Sequence, residues 1–541
     1  MPDLFAELLK KRNFESDFLR PEYAKSLEKV FLENDLAIVK VAAERLMEAA
    51  KKQEKVLIYG DYDADGVTAS TVMSEILRLI GVEKFEVMLP DRFLDGYGMS
   101  QRCVERAKKT GVDLVVTVDC GSNNTAIIKE LKEAGIETLV TDHHELQGAV
   151  PDAVEVVNFK RPDLEFKDEL KQLAGVGVAF LVGYQLVLMG KIAAGQEKWL
   201  LDLVLIGTIC DSMVLTGLNR SLCFYGMKVL AKTRRLGLRE LLRLSGAKKI
   251  NATAVGFMLG PRINAAGRLK SAELAFRLLN TKNKVEAVAL ASELEDLNQE
   301  RQKKQREAAF EIEQRGVGEE KVIVQSGDWH EGILGIVAGR LLEKYERPSL
   351  VLTEVEKGIL KGSGRSAGEF NLALALKKCK KYLKTGGGHA QACGLSLETK
   401  NLDEFRQEIN KYYNSLKLLG QEKFFKCQAD VEVEDFSKFD VELVRKIEEL
   451  EPFGEGNQEP IWLMKEAFVL SVRKLGEDEQ HLKLNLRDRM GNTMAAVAWY
   501  APNEWLRLKE GERVDVWVKL ELNEWRGRCA VEGKIVRLEC L

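Results

Sequence analysis

The 541-residue sequence contains no run of about 18 apolar residues such as a membrane-spanning helix needs. Its opening stretch, "MPDLFAELLKKRNF", lacks the apolar core of a secretion signal. Nine cysteines are scattered without regular spacing, which excludes a disulfide scaffold. Positive charge is not in surplus: 81 Lys and Arg stand against 84 Asp and Glu, a net charge of −3. Any surface for nucleic acid would therefore be local, in a groove or a single domain. Histidine is scarce, with five in the chain. These absences lead us to expect a soluble, reduced, cytoplasmic protein with no membrane association. Single cores rarely exceed about 250 to 300 residues, so several domains are expected.

What is present is an unusual acidic stretch, "YGDYDADGVT", with Asp61, Asp63 and Asp65 on alternate positions and Gly66 behind them. A calcium loop of the EF-hand type opens this way, but its closing position would be Val72 where a glutamate is required. The preceding "KVLIYG" reads as a strand and the following "VTASTVMSEILRLIG" as a helix. The acids therefore sit at the carboxyl end of a strand, where open α/β sheets gather ligands.

Further apolar runs, "FEVMLP", "DLVVTVDCG", "TLVTDHH" and "AVEVVN", alternate with helical segments and predict a parallel, doubly wound α/β sheet. The expected domains are a helical lead over residues 1–50, this catalytic domain over 51–230 and a helical connector over 231–318. A smaller α/β domain over 319–420 and a β-barrel over 421–541 complete the chain. Within the connector, "ASELEDLNQERQKKQREAAFEIEQRG" reads as a long solvated helix. The small α/β domain carries "KVIVQSG", "GILGIVAGRLLEKY" and "PSLVLTE" and ends near a loop, "GGGHAQACG". Trp462, Trp499, Trp505, Trp517 and Trp525 fall in the β-rich C-terminal part, which fits an oligonucleotide-binding type of barrel. Aromatics are favoured in strands, so most of these are expected to fill the barrel.

Three more apolar elements end in metal-type residues: Asp119 after "LVVTV", Asp142, His143 and His144 after "TLVT", and Asp211 after "LIGTIC". Parallel strands bring their ends to one sheet edge, which turns scattered residues into a cluster. Packed carboxylates repel one another unless cations neutralise them. Carboxylate mixed with imidazole favours Mn²⁺ over Ca²⁺, with Mg²⁺ as a weaker substitute, and the number of acids suits two ions.

In order and spacing, "DYDADG", "VDCG", "DHH" and "GTICD" resemble the four motifs of the DHH phosphoesterase superfamily. "GPRINAAGRL", "WHEGILGIVAGRL", "SGRS", "GGGHAQACGL" and "EPFGEGNQEP" are similar to those of its RecJ family of single-strand exonucleases. The resemblance implies a DHH domain, a DHH-associated domain and an OB-like barrel. It implies 5′-to-3′ hydrolysis of single-stranded DNA to 5′-mononucleotides with two divalent cations, Mn²⁺ preferred, in DNA repair and recombination. Asp63, Asp65, Asp119, His143 and Asp211 would be ligands; Asp61 and His144 would be ligands or their direct supports, and Asp142 would orient a histidine. In the associated domain Ser363, Arg365, Ser366 and His389 would meet phosphate, as would the amides of Gly387 and Gly388. Arg262, Asn264, Arg268 and His330 would contact DNA or pin the structure. Implied partners are single-stranded DNA, a single-strand-binding protein and a helicase, with the chain a monomer. The superfamily also admits a pyrophosphatase, a phosphodiesterase for short or cyclic nucleotides, or a binding scaffold without catalysis. The complete ligand set argues against the scaffold, and the C-terminal domain against the small-substrate enzymes.

Overall fold

The structure, a computed structural model, describes residues 3–96, 98–416, 418, 427–476, 478–525 and 528–541, without the side chains at 16, 525 and 528. The chain forms two compact units. The first comprises Met1–Gly260, Phe276–Ala287 and Cys427–Leu541, and the second Pro261–Ala275 and Val288–Lys426. Among the described residues no helix is long and apolar enough to cross a membrane.

The first unit contains the expected parallel sheet: β1 (Val56–Tyr59), β2 (Phe85–Met88), β3 (Leu114–Val118), β4 (Glu137–Thr141) and β5 (Glu155–Val157). Their spatial order is β2-β1-β3-β4-β5, with every neighbouring pair parallel. The central strands VLIY and LVVTV are fully buried, as a sheet covered on both faces demands. Helices Ala64–Leu79, Gly175–Leu188 and Leu201–Cys210 pack together as an apolar layer.

The same unit holds the barrel, for which the chain supplies β11 (Val431–Val433), β12 (Trp462–Leu475), β13 (His481–Arg487), β14 (Thr493–Ala498), β15 (Arg513–Trp525) and β16 (Arg528–Cys540). The order β12-β13-β14-β16-β15 closes through a β12–β15 pairing, and only β14–β16 is parallel within that ring. Alternate residues point inward, as in Leu482, Leu484 and Leu486 or Val514, Val516 and Val518. Leu4, Phe5 and Leu8 of the first helix, Leu4–Lys11, join this core, and Arg12 grips Asp430 through two bonds of 2.7 and 2.8 Å. Of the tryptophans, Trp462 is buried in the barrel and Trp505 packs on its core. Trp517 is half-buried beneath Arg537, and Trp499 is 55% exposed beside His481 and Tyr500. The side chain of Trp525 lies outside the described residues.

The second unit carries β6 (Ile323–Ser326), β7 (Ser349–Glu356), β8 (Ile359–Arg365), β9 (Leu383–Gly388) and β10 (Ala392–Glu398) in the order β6-β7-β8-β10-β9. The long helix expected in the connector spans Lys284–Arg315. It is not solvated all round: Leu294, Asn298, Arg301, Ala308 and Ile312 form a buried stripe at helical spacing. Asn298 and Arg301 bond each other at 2.8 Å, which allows polar residues to occupy buried positions.

Candidate metal centre

Asp63 caps the helix Ala64–Leu79, its Oδ1 accepting the N–H groups of Asp65 (2.9 Å) and Gly66 (3.1 Å). Asp65, in the first turn, accepts the N–H groups of Gly175 (2.6 Å) and Val176 (3.0 Å), at the start of the helix Gly175–Leu188. Each of these two carboxylates is thus held by the N-terminus of one helix. Asp119 leaves β3 with φ 61°, a left-handed conformation that aspartate tolerates, and its N–H donates to Thr141 O at 2.9 Å. Asp211 ends the helix Leu201–Cys210. His143 and His144 follow β4.

The side chains converge. His143 Nε2 lies 3.1 Å from Asp119 Oδ1, 3.5 Å from Asp211 Oδ2 and 3.8 Å from Asp65 Oδ2. Among the described residues three groups have ligand atoms within 4.8 Å of one another: Asp61, Asp63 and Asp119; Asp65, His143 and Asp211; Asp119, His143 and His144. Asp119 and His143 each belong to two of them. Asp142 belongs to none. It accepts the N–H groups of Ser122 (2.9 Å), His143 (2.7 Å) and His144 (3.2 Å), and lies 2.8 Å from His144 Nδ1, so it orients that ring.

Two glycines make room for these acids: Gly207, which opens the "GTICD" motif, and Gly175, which lies in none of the motifs. A Cβ on Gly207 would stand 2.5 Å from Asp65 Oδ1, and one on Gly175 would stand 2.5 Å from Asp119 Cβ. The sign of Gly175 in the sequence is a glycine in an apolar helical stretch, which usually marks close packing.

Burial, followed by repulsion from Asp63, pushes the Asp61 carboxyl up to about 8 and Asp65 up to about 7. Burial and then Asp65 push Asp211 to about 8, and burial with four neighbouring acids raises Asp119 well above the ordinary range. Burial lowers His143 to about 3, so its imidazole is neutral, the form that ligates metal. For His144 burial is outweighed by Asp142, which holds it up to about 9. Among the described residues buried Asp119 Oδ1 accepts no well-aligned hydrogen bond, its nearest polar neighbour being His143 Nε2 at 3.1 Å. A nest of buried, mutually repelling acids with an unsatisfied oxygen at its centre fits divalent cations.

The remaining expected residues lie in the second unit, and several differ from expectation. Ser363 and Arg365 lie on β8, and buried Ser366 donates to Phe370 O at 2.8 Å, which commits its hydroxyl to the fold rather than to phosphate. Arg365 donates to Gly364 O at 2.8 Å. The glycine triplet is strand rather than loop: Gly386 to Gly388 run along β9, an edge strand paired only with β10. Gly388 takes φ 138°, and a Cβ added there would stand 2.4 Å from Ala392 O, so no side chain fits at the entry to the hairpin. His389 is exposed at the hairpin's tip. Arg262 and Asn264 lie on the helix Gly260–Leu269, where Arg262 pairs with Glu295 at 2.5 Å. Arg268 donates to Gly332 O at 3.3 Å while His330 Nδ1 accepts the Gly332 N–H at 3.1 Å, so both hold one turn.

The chain matches the DHH family, N-terminal domain over residues 55–208, the DHHA1 domain over 319–415 and the RecJ OB domain over 429–537. It is 36% identical to the single-stranded-DNA-specific exonuclease RecJ of Bacillus subtilis, with 97% of this chain covered and 66% of that protein. It is 32% identical to the exonuclease of the same name from Haemophilus influenzae, over 94% of this chain and 92% of that one. The crystal structure of Thermus thermophilus RecJ in complex with Mn²⁺ superposes with a TM-score of 0.85 at 30% identity, covering 99% of this chain and 75% of that one. Its Mg²⁺ complex gives 0.78 at 29% identity, covering 99% of this chain and 74% of that one. A near end-to-end match at this identity, carrying all three domain types in order, places the chain in one family: it belongs to the RecJ exonucleases of the DHH superfamily.

Proposed function

We propose that this chain, a metal-dependent single-stranded-DNA-specific exonuclease, degrades the strand from its 5′ end and releases 5′-mononucleotides, serving DNA repair and recombination in the cytoplasm. The observation that carries this reading is the overlap of ligand groups at one sheet edge, with Asp119 and His143 common to two groups each. Asp63, Asp65, Asp119, His143 and Asp211 would hold two divalent cations, Mn²⁺ in preference, with Asp119 between them. Bound there, the cations supply Lewis acidity to the phosphodiester and lower the pKa of the attacking water. The chain's own residues do the positioning. Asp142 holds the His144 ring, and the N-terminus of the helix Gly175–Leu188 holds Asp65, so these side chains are fixed before substrate arrives.

Ser363, Arg365, His389 and the amides of Gly387 and Gly388 are the donors we assign to the phosphate backbone of the strand. Arg262, Arg268 and His330 we assign to support of that domain, because each already serves a partner within it. Asn264 shares the helix of Arg262 and Arg268 and is assigned with them. All proposed ligands come from one chain, so a monomer suffices. A helicase and a single-strand-binding protein are the partner classes that would present single strands.

The test is digestion of a long single strand labelled at either end, beside its duplex, with Mn²⁺ or EDTA. Mononucleotide release from the 5′-labelled end of the single strand alone, abolished by EDTA, is expected. Turnover confined to pyrophosphate or dinucleotides would replace this reading with a small-substrate phosphodiesterase.

A further inference from the structure

The first unit carries a second feature with ligand-binding chemistry, at the far end of the helices that deliver the acids. A cavity of about 310 Å³ is walled by the rings of Tyr23, Trp199 and Tyr225 together with Leu201 and Val229. Lys198, Lys228 and Lys232 stand at its rim. A neighbouring depression of about 700 Å³ shares Lys232 and adds Arg234 and Arg239, and a smaller one of about 150 Å³ shares Trp199 and Arg234.

The cations here stand on aromatic faces. Arg234 lies 3.5 Å from the Trp199 ring centre, Lys228 lies between Phe224 at 4.0 Å and Tyr225 at 4.8 Å, and Lys198 lies 5.2 Å from the Tyr23 ring centre. Lys198, Lys228, Lys232, Arg234 and Arg239 are exposed. Among the described residues no carboxylate lies within ion-pair distance of any of the five. Glu75 and Asp202, on the smallest cavity, are already paired with Arg235, and Glu75 also with Lys282. On a chain of net charge −3, this is a concentrated and uncompensated positive surface.

We propose that this cavity binds a nucleotide, with the base among the three rings and the phosphates on the lysine rim and Arg234. Its volume falls in the range of about 300 to 1,000 Å³ usual for small-ligand sites, which are lined by aromatic and apolar groups with a few convergent charges. Stacking on rings beside a cationic rim is also how single strands are held without sequence preference. An acidic peptide fits less well, because the walls are helices and loops and offer no open strand edge to an extended backbone. The site is separate from the metal centre. The helix Leu201–Cys210 begins at the cavity with Leu201 and ends beside Asp211, and its ten residues rise about 15 Å. The ligand would be either a free nucleotide, such as the released product, or a segment of a strand passing over the far side of the catalytic domain.

The experiment is equilibrium binding of dAMP, dATP and a ten-residue oligothymidylate to the full chain in EDTA, which removes the cations that would draw phosphate to the metal centre. The double variant Lys228→Glu/Lys232→Glu, at two exposed positions, is expected to weaken binding tenfold or more while keeping Mn²⁺-dependent cleavage of a dinucleotide. Trp199→Phe should bind and Trp199→Ala should not. Binding of dAMP or dATP as tight as that of the oligonucleotide identifies a free nucleotide as the ligand; binding of the oligonucleotide alone, weakened by the double variant, identifies a strand segment. The proposal fails if none of the three probes binds. It fails equally if the double variant binds them like the wild type, or if a decaglutamate peptide binds where the nucleotides do not.

Discussion

Asp119 is the residue on which the metal centre turns, since it enters two ligand groups and its buried Oδ1 accepts no well-aligned hydrogen bond among the described residues. Asp119→Asn keeps the volume and removes the charge. Hydrolysis of a labelled single strand should fall by about a thousandfold or more, on the scale of losing an electrostatic group at a reacting centre. The fold should persist, because the substitution relieves repulsion among buried acids; equal activity of variant and wild type would sink the metal assignment. Proton linkage makes a second prediction at this scale. Asp61 and Asp211 are pushed up to about 8 and His144 to about 9, so the folded metal-free chain holds protons that the unfolded chain releases. Each raised pKa contributes stability that is present at low pH and lost as pH rises through the folded value. His143, lowered to about 3, and Asp142, held well below its ordinary range, do not titrate near neutrality in the folded chain. The metal-free melting temperature should therefore fall between pH 7 and pH 9, and Mn²⁺ should raise it more at pH 9 than at pH 7. A calorimetric series in EDTA and in Mn²⁺ checks both. These ligand residues are legible in the sequence because their chemistry is unusual: alternating aspartates and a histidine pair leave few other uses.

The elements are legible where they are short and apolar, and obscure where they depend on a distant partner. Runs such as "KVLIYG" and "DLVVTVDCG" announce buried parallel strands, and all five strands of the first sheet lie where the pattern places them. The strand β12 does not show in the pattern, because Lys465 and Glu466 interrupt its alternation and Glu466 takes φ 49° beside a register shift against β15. The glycine triplet reads as a loop for a related reason: glycine disfavours strands on its own, and Gly386 to Gly388 are strand because β10 pairs with them. Glycine has a sharper role in the helix Leu201–Cys210, where Gly207 lets that helix lie against Asp65 and Thr68. Gly207→Ala should push a carboxylate out of place, since the added Cβ would meet Asp65 Oδ1 at 2.5 Å and Thr68 Oγ1 at 2.6 Å. We expect weaker Mn²⁺ binding, cleavage reduced by about a hundredfold and destabilisation of about 1 to 3 kcal/mol from overpacking. Mn²⁺ titration by calorimetry separates displaced ligands from a mere loss of stability, which would leave metal affinity unchanged.

At the scale of the molecule, the joining of the barrel to the rest of the first unit is written nowhere in the local pattern. Arg220 does much of it. Its side chain is buried, lies 3.8 Å from the Phe18 ring centre, and donates to Phe18 O at 2.6 Å and to Leu450 O at 2.9 Å. Residues 202 positions upstream and 230 downstream are thus tied to one guanidinium on the helix Gly217–Leu230. Nothing in the sequence around "GLNRSLCFYG" distinguishes this arginine from a surface charge. Burial pulls the guanidinium down to about 10 against the opposing charge of Glu451, and the two carbonyls and the Phe18 ring face the charge that remains. Arg220→Met preserves much of the volume and deletes both bonds, leaving Phe18 O without this donor and Leu450 O with the Asn457 amide at 2.8 Å. A loss of about 2 to 4 kcal/mol is expected from charge-assisted bonds of this kind. Because the metal ligands lie on other elements, the intact variant should retain Mn²⁺ binding while its barrel loosens, seen as faster amide exchange in β12 to β16 at unchanged metal affinity. Equal exchange in wild type and variant would mean that the Leu4, Phe5 and Leu8 contacts and the Arg12–Asp430 pair hold the barrel without help from Arg220.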